Sequence, residues 1–293
     1  MAEMRAMRIG PDRVTTSEHI EVRSPYDDRL LATVPKATAE HIDAAVAAAV
    51  RRREQGALPA HQRAEILDTA VRLLRERTEQ FARLICDEAA KPIKTARVEA
   101  MRAIDTFAFA AAVARTATSE VVPMDASSAG AGKLGFVLRV PIGVVGAITP
   151  FNFPLNLVCH KVAPAIAAGC AVVLKPASAT PLSALALADM LLDECGLPDG
   201  WLNVVTAPGS VANRLVEHPD VAMITFTGSS DVGWGIRAAA PRKKVSLELG
   251  NNAPVIIETD GDWRAAAEKI KVAGYSHAGQ SCISTQRVFV HRS

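Results

Sequence analysis

A chain of 293 residues, 49% of them apolar, can bury a large core and build one large or two ordinary domains. Its 33 basic and 31 acidic residues nearly cancel, and no block of like charge marks a nucleic-acid or membrane surface. Five cysteines, an odd number without a CxxC pair, argue against a disulfide framework or a structural zinc site. The densest basic cluster, Arg51 to Arg53, ends an Ala-rich helical stretch, where cations suit the helix dipole. The N-terminal residues lack the apolar core of a signal peptide, and no apolar run is long enough to span a bilayer. The expectation is a soluble, cytoplasmic protein that holds no metal and binds no nucleic acid.

The first third predicts helices. Thr38 is a candidate N-cap, and Ile42, Ala45, Val46 and Val50 line one face of the helix after it. Further helices are expected over Pro59–Arg77, Phe81–Ala89 and Ile93–Thr118. From Gly135 the apolar pattern changes, and Phe136–Val140 and Ile142–Ile148 read as strands split by Pro141. After Pro154 helix and strand alternate. Helices are expected over Leu155–Ala168, Leu182–Cys195, Val211–Val216 and Asp231–Ala240. Strands are expected over Ala171–Leu174, Leu202–Val205, Ala222–Phe226 and Lys244–Leu247. Strands alternating with helices across short loops predict an α/β fold with a doubly wound parallel sheet.

Three short motifs carry chemistry. Asn152 stands in Pro150-Phe151-Asn152-Phe153-Pro154, Glu248 in Leu247-Glu248-Leu249-Gly250, and Cys282 in Gly279-Gln280-Ser281-Cys282. A thiolate adds to a carbonyl carbon, a carboxamide stabilises the resulting oxyanion, and a carboxylate deprotonates the water that releases the acid. Each residue also has a plainer reading: a buried inert thiol, a turn asparagine, a solvent-facing strand glutamate. A Cys–His hydrolase dyad with His277 or His160 is disfavoured, because no Asn or Asp partner suggests itself and a phosphate-binding turn would go unexplained. That turn is Phe226-Thr227-Gly228-Ser229-Ser230-Asp231-Val232-Gly233 between a strand and a helix; GxGxxG is absent.

The three motifs, in this order, resemble the aldehyde dehydrogenase superfamily over nearly the whole chain. The resemblance implies Cys282 as nucleophile, Asn152 with the Cys282 backbone N–H as oxyanion hole, and Glu248 as base. Glu248 also distinguishes the chain from the CoA-acylating branch, which typically lacks that base. Gly228 and Ser229 match the family's pyrophosphate turn, with Gly233, Thr149, Phe151 and Leu249 around the cofactor. Lys175, in Lys175-Pro176-Ala177-Ser178, matches the lysine at the adenine ribose. Ser178 replaces a frequent glutamate, so NADP is permitted and NAD is not excluded. Asn251 stands where the family usually has a second glycine, a substitution that asparagine's tolerance of left-handed backbone makes mild. The stretch Pro150–Lys161 is most similar to the lactaldehyde and glycolaldehyde branch, which implies a small polar aldehyde, with Arg102, Phe153 and His160 as candidate tunnel residues.

The domain expectation is a Rossmann-like cofactor domain over 1–122 and 142–249, with an oligomerisation hairpin over 123–141. The start of a second α/β catalytic domain covers 250–293, and the resemblance implies roughly 150 further residues of it. When complete, such a protein is expected to be a homodimer or homotetramer. As it stands, the chain has a second expected role, an inactive nucleotide-binding fragment with little core beyond residue 250.

Overall fold

The computed structural model describes residues 3–292, so Met1, Ala2 and Ser293, which open and close the expected domain ranges, lie outside the described residues. Four short strands come first: β1 (Met7–Ile9), β2 (Asp12–Val14), β3 (His19–Arg23) and β4 (Leu30–Pro35). Helices α1 (Ala39–Glu54), α2 (Ala60–Glu76), α3 (Thr78–Ala89) and α4 (Ile93–Thr116) follow. Strands β5 (Glu120–Val122) and β6 (Gly135–Val137) form an exposed antiparallel pair. The alternating part runs β7 (Val144–Ile148), α5 (Asn156–Ala167), β8 (Val172–Lys175), α6 (Leu182–Asp193) and β9 (Leu202–Val204). It continues with α7 (Gly209–Glu217), β10 (Val221–Thr227), α8 (Ser230–Ala239) and β11 (Lys244–Glu248). A parallel βαβ unit, β12 (Pro254–Ile257), α9 (Trp263–Tyr275) and β13 (Arg287–Val290), ends the chain.

Seven strands form the main sheet in the order β11-β10-β7-β8-β9-β1-β2, of which the first five are mutually parallel. Strand alternation divides the core in two. Val145 and Ala147 of β7 join the cluster under α2 to α6, whereas Val144 and Ile148 join the cluster under α1, α7 and α8. Both faces of the inner strands β7, β8 and β9 are covered, which is why the β7 and β8 segments read as apolar runs.

Every expected helix and strand is present, with ends displaced by at most three residues. The largest changes are at α3, which starts at Thr78 and not at the expected Phe81, and at the expected strand Phe136–Val140, where pairing stops at Val137. Strands β1 to β4 were not foreseen. The three-residue strands β1 and β2 are too short to show a period, and Arg8 breaks the apolar pattern of β1. Arg8 is tolerated in the core because Asp193 and Asp189 accept from it at 2.9 and 3.0 Å.

Two buried carboxylates fix the starts of two core helices. Glu88 of α3 accepts the N–H groups of Leu182 (2.7 Å) and Ser183 (2.9 Å) at the start of α6. Glu99 of α4 accepts those of Leu155 and Asn156, both at 3.1 Å, at the start of α5. Burial pushes the Glu88 carboxyl up to about 7, against the hydrogen bonds from α6 that favour its ionised form. The folded state therefore holds this proton more tightly than the unfolded chain does. Its contribution is full below the ordinary glutamate range and is lost as pH rises through about 7. Glutamine does not titrate, so the thermal-midpoint difference between Glu88→Gln and wild type is expected to change between pH 5 and 8, read by circular dichroism. A difference that does not change with pH would refute the assignment.

The terminal βαβ unit buries almost nothing: no residue of α9 is buried, and Ile256, Phe289 and Val290 are exposed. Among the described residues no helix is long and apolar enough to cross a membrane, and no group of three His, Cys, Asp or Glu is placed to hold a metal ion.

Candidate active site

The carboxyl ends of β7, β8, β10 and β11 lie along one edge of the parallel sheet, where α/β folds hold their ligands. Asn152 follows β7 through Thr149, whose N–H donates to Lys175 O at 3.2 Å, and the exposed Phe151. The Asn152 side chain is buried; its Nδ2 donates to Gln280 O at 2.6 Å, and its Oδ1 has no partner. Cys282 is exposed and follows a turn in which His277, Ala278 and Gly279 all adopt left-handed backbone, at φ 50°, 54° and 77°. Two consecutive non-glycine residues in that region store strain. Ser284 Oγ donates to Gly279 O at 3.1 Å and holds the turn.

Glu248 is the last residue of β11, and its carbonyl accepts from Gly228 N at 3.0 Å. Three residues later, Asn251 donates through Nδ2 to Cys282 O, and its Oδ1 accepts from Ala253 N at 2.8 Å. Asn251 does not use its tolerance of left-handed backbone, since its φ is not positive. Its side chain instead joins the glutamate turn to the cysteine loop, a bond that glycine at this position lacks. Hydrogen bonds thus draw the Asn152, Glu248 and Cys282 segments into one place.

The opposite side of this edge suits a dinucleotide. A Cβ on Gly228 would run into the Phe226 ring, and one on Gly233 would lie 2.5 Å from the Leu249 side chain, so both glycines permit close approach. Ser229 precedes α8, its hydroxyl makes no capping bond, and the first N–H groups of the helix are free to meet an anion. Lys175 ends β8, is 7% exposed, and has no hydrogen bond or ion pair among the described residues. Burial lowers its pKa. A nearly buried amine without a partner among the described residues, at the carboxyl end of a parallel strand, fits a ligand that brings hydroxyl and phosphate oxygens. Ser178 Oγ donates to Ala207 O at 3.2 Å.

Arg102 of α4 and His160 of α5 line a cavity of about 630 Å³ with Thr106, Phe109, Val113 and Pro164. Burial, then Arg102, then Lys161 lowers the His160 pKa, and Glu248 opposes them. The neighbouring Lys161 donates to Thr225 Oγ1 at 3.0 Å, and burial lowers its pKa to about 8, again opposed by Glu248. Arg102 forms no ion pair among the described residues; Glu99, its potential helical partner, pairs with Lys91 instead. The Phe153 ring lies 6.3 Å from the His277 ring and under Lys91.

The family model for the aldehyde dehydrogenase family matches residues 13–293. The chain belongs to the aldehyde dehydrogenase family. It is 44% identical over 278 residues to a 3-sulfolactaldehyde dehydrogenase of Priestia megaterium, covering 94% of this chain and 58% of that one. It is 40% identical to aspartate-semialdehyde dehydrogenase 1 of Pseudomonas canavaninivorans, covering 93% and 58%. Among solved structures, aldehyde dehydrogenase 21 of Physcomitrella patens with the product succinate superposes with a TM-score of 0.94 at 39% identity, over 100% of this chain and 61% of that one. An NADP-dependent glyceraldehyde-3-phosphate dehydrogenase of Bacillus halodurans complexed with NADP gives 0.95 at 35% identity, over 100% and 62%. The chain therefore spans less than two thirds of the length of these aldehyde dehydrogenases.

Four residues of the candidate site were not foreseen as part of it: Lys91, Glu99, Lys161 and Gln280. Glu99 had a visible signal, because it sits on the buried stripe Ala96, Ala100 and Ala103 of α4, where a charge demands a partner. Lys91 and Gln280 show none, since their roles depend on loops that only the fold brings together.

Proposed function

We propose that the protein oxidises a small polar aldehyde to the carboxylic acid with NAD or NADP, through a thiohemiacetal and then a thioester on Cys282. The observation that carries this reading is the bonding that gathers the reactive segments, from Asn152 to Gln280 and from Asn251 to Cys282. The Cys282 thiolate adds to the aldehyde carbon. The developing oxyanion takes the Asn152 N–H from Gln280 O and a second N–H from the Cys282 backbone; losing one such donor costs about 2.7–4 kcal/mol of transition-state stabilisation. NAD(P), when bound, supplies the hydride acceptor; Lys175, Ser178, Gly228, Ser229 and Gly233, with Thr149, Phe151 and Leu249, would hold it. Glu248 then deprotonates the water that attacks the thioester, and the acid leaves.

Arg102, without an ion-pair partner among the described residues, and His160 beside it favour an aldehyde whose far end is polar or anionic. Phe153 does not line that cavity; it stands beside His277 and Lys91, and in this reading forms an apolar wall nearer Asn152. Lactaldehyde and glycolaldehyde are the simplest such substrates, and the names of the relatives, 3-sulfolactaldehyde and aspartate-semialdehyde dehydrogenase, fit the same class. Residues 1–122 and 142–249 serve in this reading as cofactor domain, 123–141 as an arm, and 250–293 as the start of the catalytic domain. The arm exposes Leu134, Phe136, Leu138 and Val140, an apolar surface suited to a homodimer or homotetramer contact.

The test is aldehyde-dependent formation of NADH or NADPH by the purified protein across a panel of neutral and anionic aldehydes. No turnover with any aldehyde, while cofactor still binds, would overturn oxidation and leave the second reading, a nucleotide-binding module. That reading is favoured by the nearly coreless unit beyond residue 250. Ser178→Glu checks the ribose assignment. A carboxylate there repels a 2′-phosphate and bonds a 2′-hydroxyl, so the NADP KM is expected to rise roughly 10- to 100-fold over that for NAD. An unchanged ratio would place the ribose elsewhere.

A further inference from the structure

The loop between β7 and α5, which carries Asn152, has no ladder of its own and is held from behind by a buried ion pair. Lys91 is 2% and Glu99 1% exposed, with Nζ 2.5 Å from Oε2. Lys91 Nζ also donates to the Asn152 carbonyl at 2.7 Å and stands 3.7 Å from the centre of the Phe153 ring. The other Glu99 oxygen accepts from Leu155 and Asn156 N–H. One ion pair therefore touches residues 152, 153, 155 and 156. Stability alone is a weak reason to bury two charges, because a well-packed apolar pair of the same volume is often as stable. On its far side the Asn152 amide has a single partner among the described residues, Gln280 O, and its Oδ1 has none among them. That single partner is the one an arriving substrate oxygen replaces.

We propose that Lys91 and Glu99 are positioning residues for aldehyde oxidation, which hold the Asn152 backbone so that its amide N–H stays aimed while it passes from Gln280 O to the substrate oxygen. The inference rests on the reading of Asn152 as oxyanion donor. A misplacement of about 1 Å in such a group lowers turnover by on the order of 10²-fold.

The experiment is a double-mutant cycle on kcat, using the protein expressed from its whole reading frame at saturating aldehyde and cofactor. Glu99→Gln and Lys91→Met are each measured alone and in an Asn152→Ala background. Each single variant is expected to lose roughly 10- to 100-fold in kcat with little change in KM or cofactor affinity. In the Asn152→Ala background neither is expected to cost a further factor of two, because the group they position is gone. Losses that multiply would overturn the proposal, as would losses confined to KM. Should Lys91→Met not fold, Glu99→Gln decides alone, since glutamine keeps the volume and still accepts from the α5 N–H groups. If the unaltered protein turns over no aldehyde, the functional reading fails first. The holding of the loop is then read by amide hydrogen exchange at Leu155 and Asn156 in Glu99→Ala, which removes their acceptor: faster exchange supports it, and unchanged exchange overturns it.

Discussion

Cys282→Ala is expected to abolish aldehyde-dependent NAD(P)H formation, by on the order of 10⁶-fold, the scale on which removal of a covalent nucleophile acts. Cofactor binding should persist, because Lys175, Gly228 and Ser229 belong to other segments of the chain. No other thiol is placed to take over. Cys159, Cys170 and Cys195 are buried, Cys86 is half-buried, and Cys282 is exposed. Burial pushes the Cys86 and Cys159 thiols up and the Cys195 thiol to about 11, which leaves these three protonated at neutral pH. Alkylation by iodoacetamide, followed by peptide mass, should accordingly mark Cys282 first in the unaltered protein. The assignment is wrong if the alanine variant keeps one hundredth of wild-type turnover.

Glu248→Gln is expected to divide the reaction in two. The first half needs only the thiolate and the oxyanion donors, so one equivalent of NAD(P)H per site should form rapidly. Release of the acid needs the base, and steady-state turnover should fall by roughly 10²- to 10⁴-fold. Glutamine leaves the backbone bond from Gly228 N to the residue 248 carbonyl in place, so the cofactor turn is not disturbed. A rapid-quench mass of the variant should show the acyl group on Cys282. Full steady-state turnover would instead assign the base to a neighbour, and Lys161, with a pKa of about 8 and within the influence of Glu248, would be first to test.

The elements that form the parallel sheet were legible because both faces of the inner strands β7, β8 and β9 are buried, so apolar runs such as Val144–Ile148 announce themselves. The motifs of Asn152, Glu248 and Cys282 were legible for a different reason: the chemistry admits few residue types, and their immediate neighbours are distinctive. Strands β1 and β2 were not, because β1 is held by pairing with β9, almost two hundred residues away in the chain, and not by its own pattern. Asn251 was read as a tolerant substitute for glycine, whereas its carboxamide bonds the Cys282 carbonyl across the site.

The sequence by itself determined the α/β class and the family resemblance, and it singled out the three side chains proposed to react, since these follow from local periodicity and from short motifs. Only the tertiary structure decided which charges are buried and what they hold. Glu88 caps a helix start at Leu182, Glu99 caps another at Leu155, and Lys91 grips the carbonyl of Asn152. A buried charge is stable only with a partner, and that partner is supplied by the fold from a distant part of the chain.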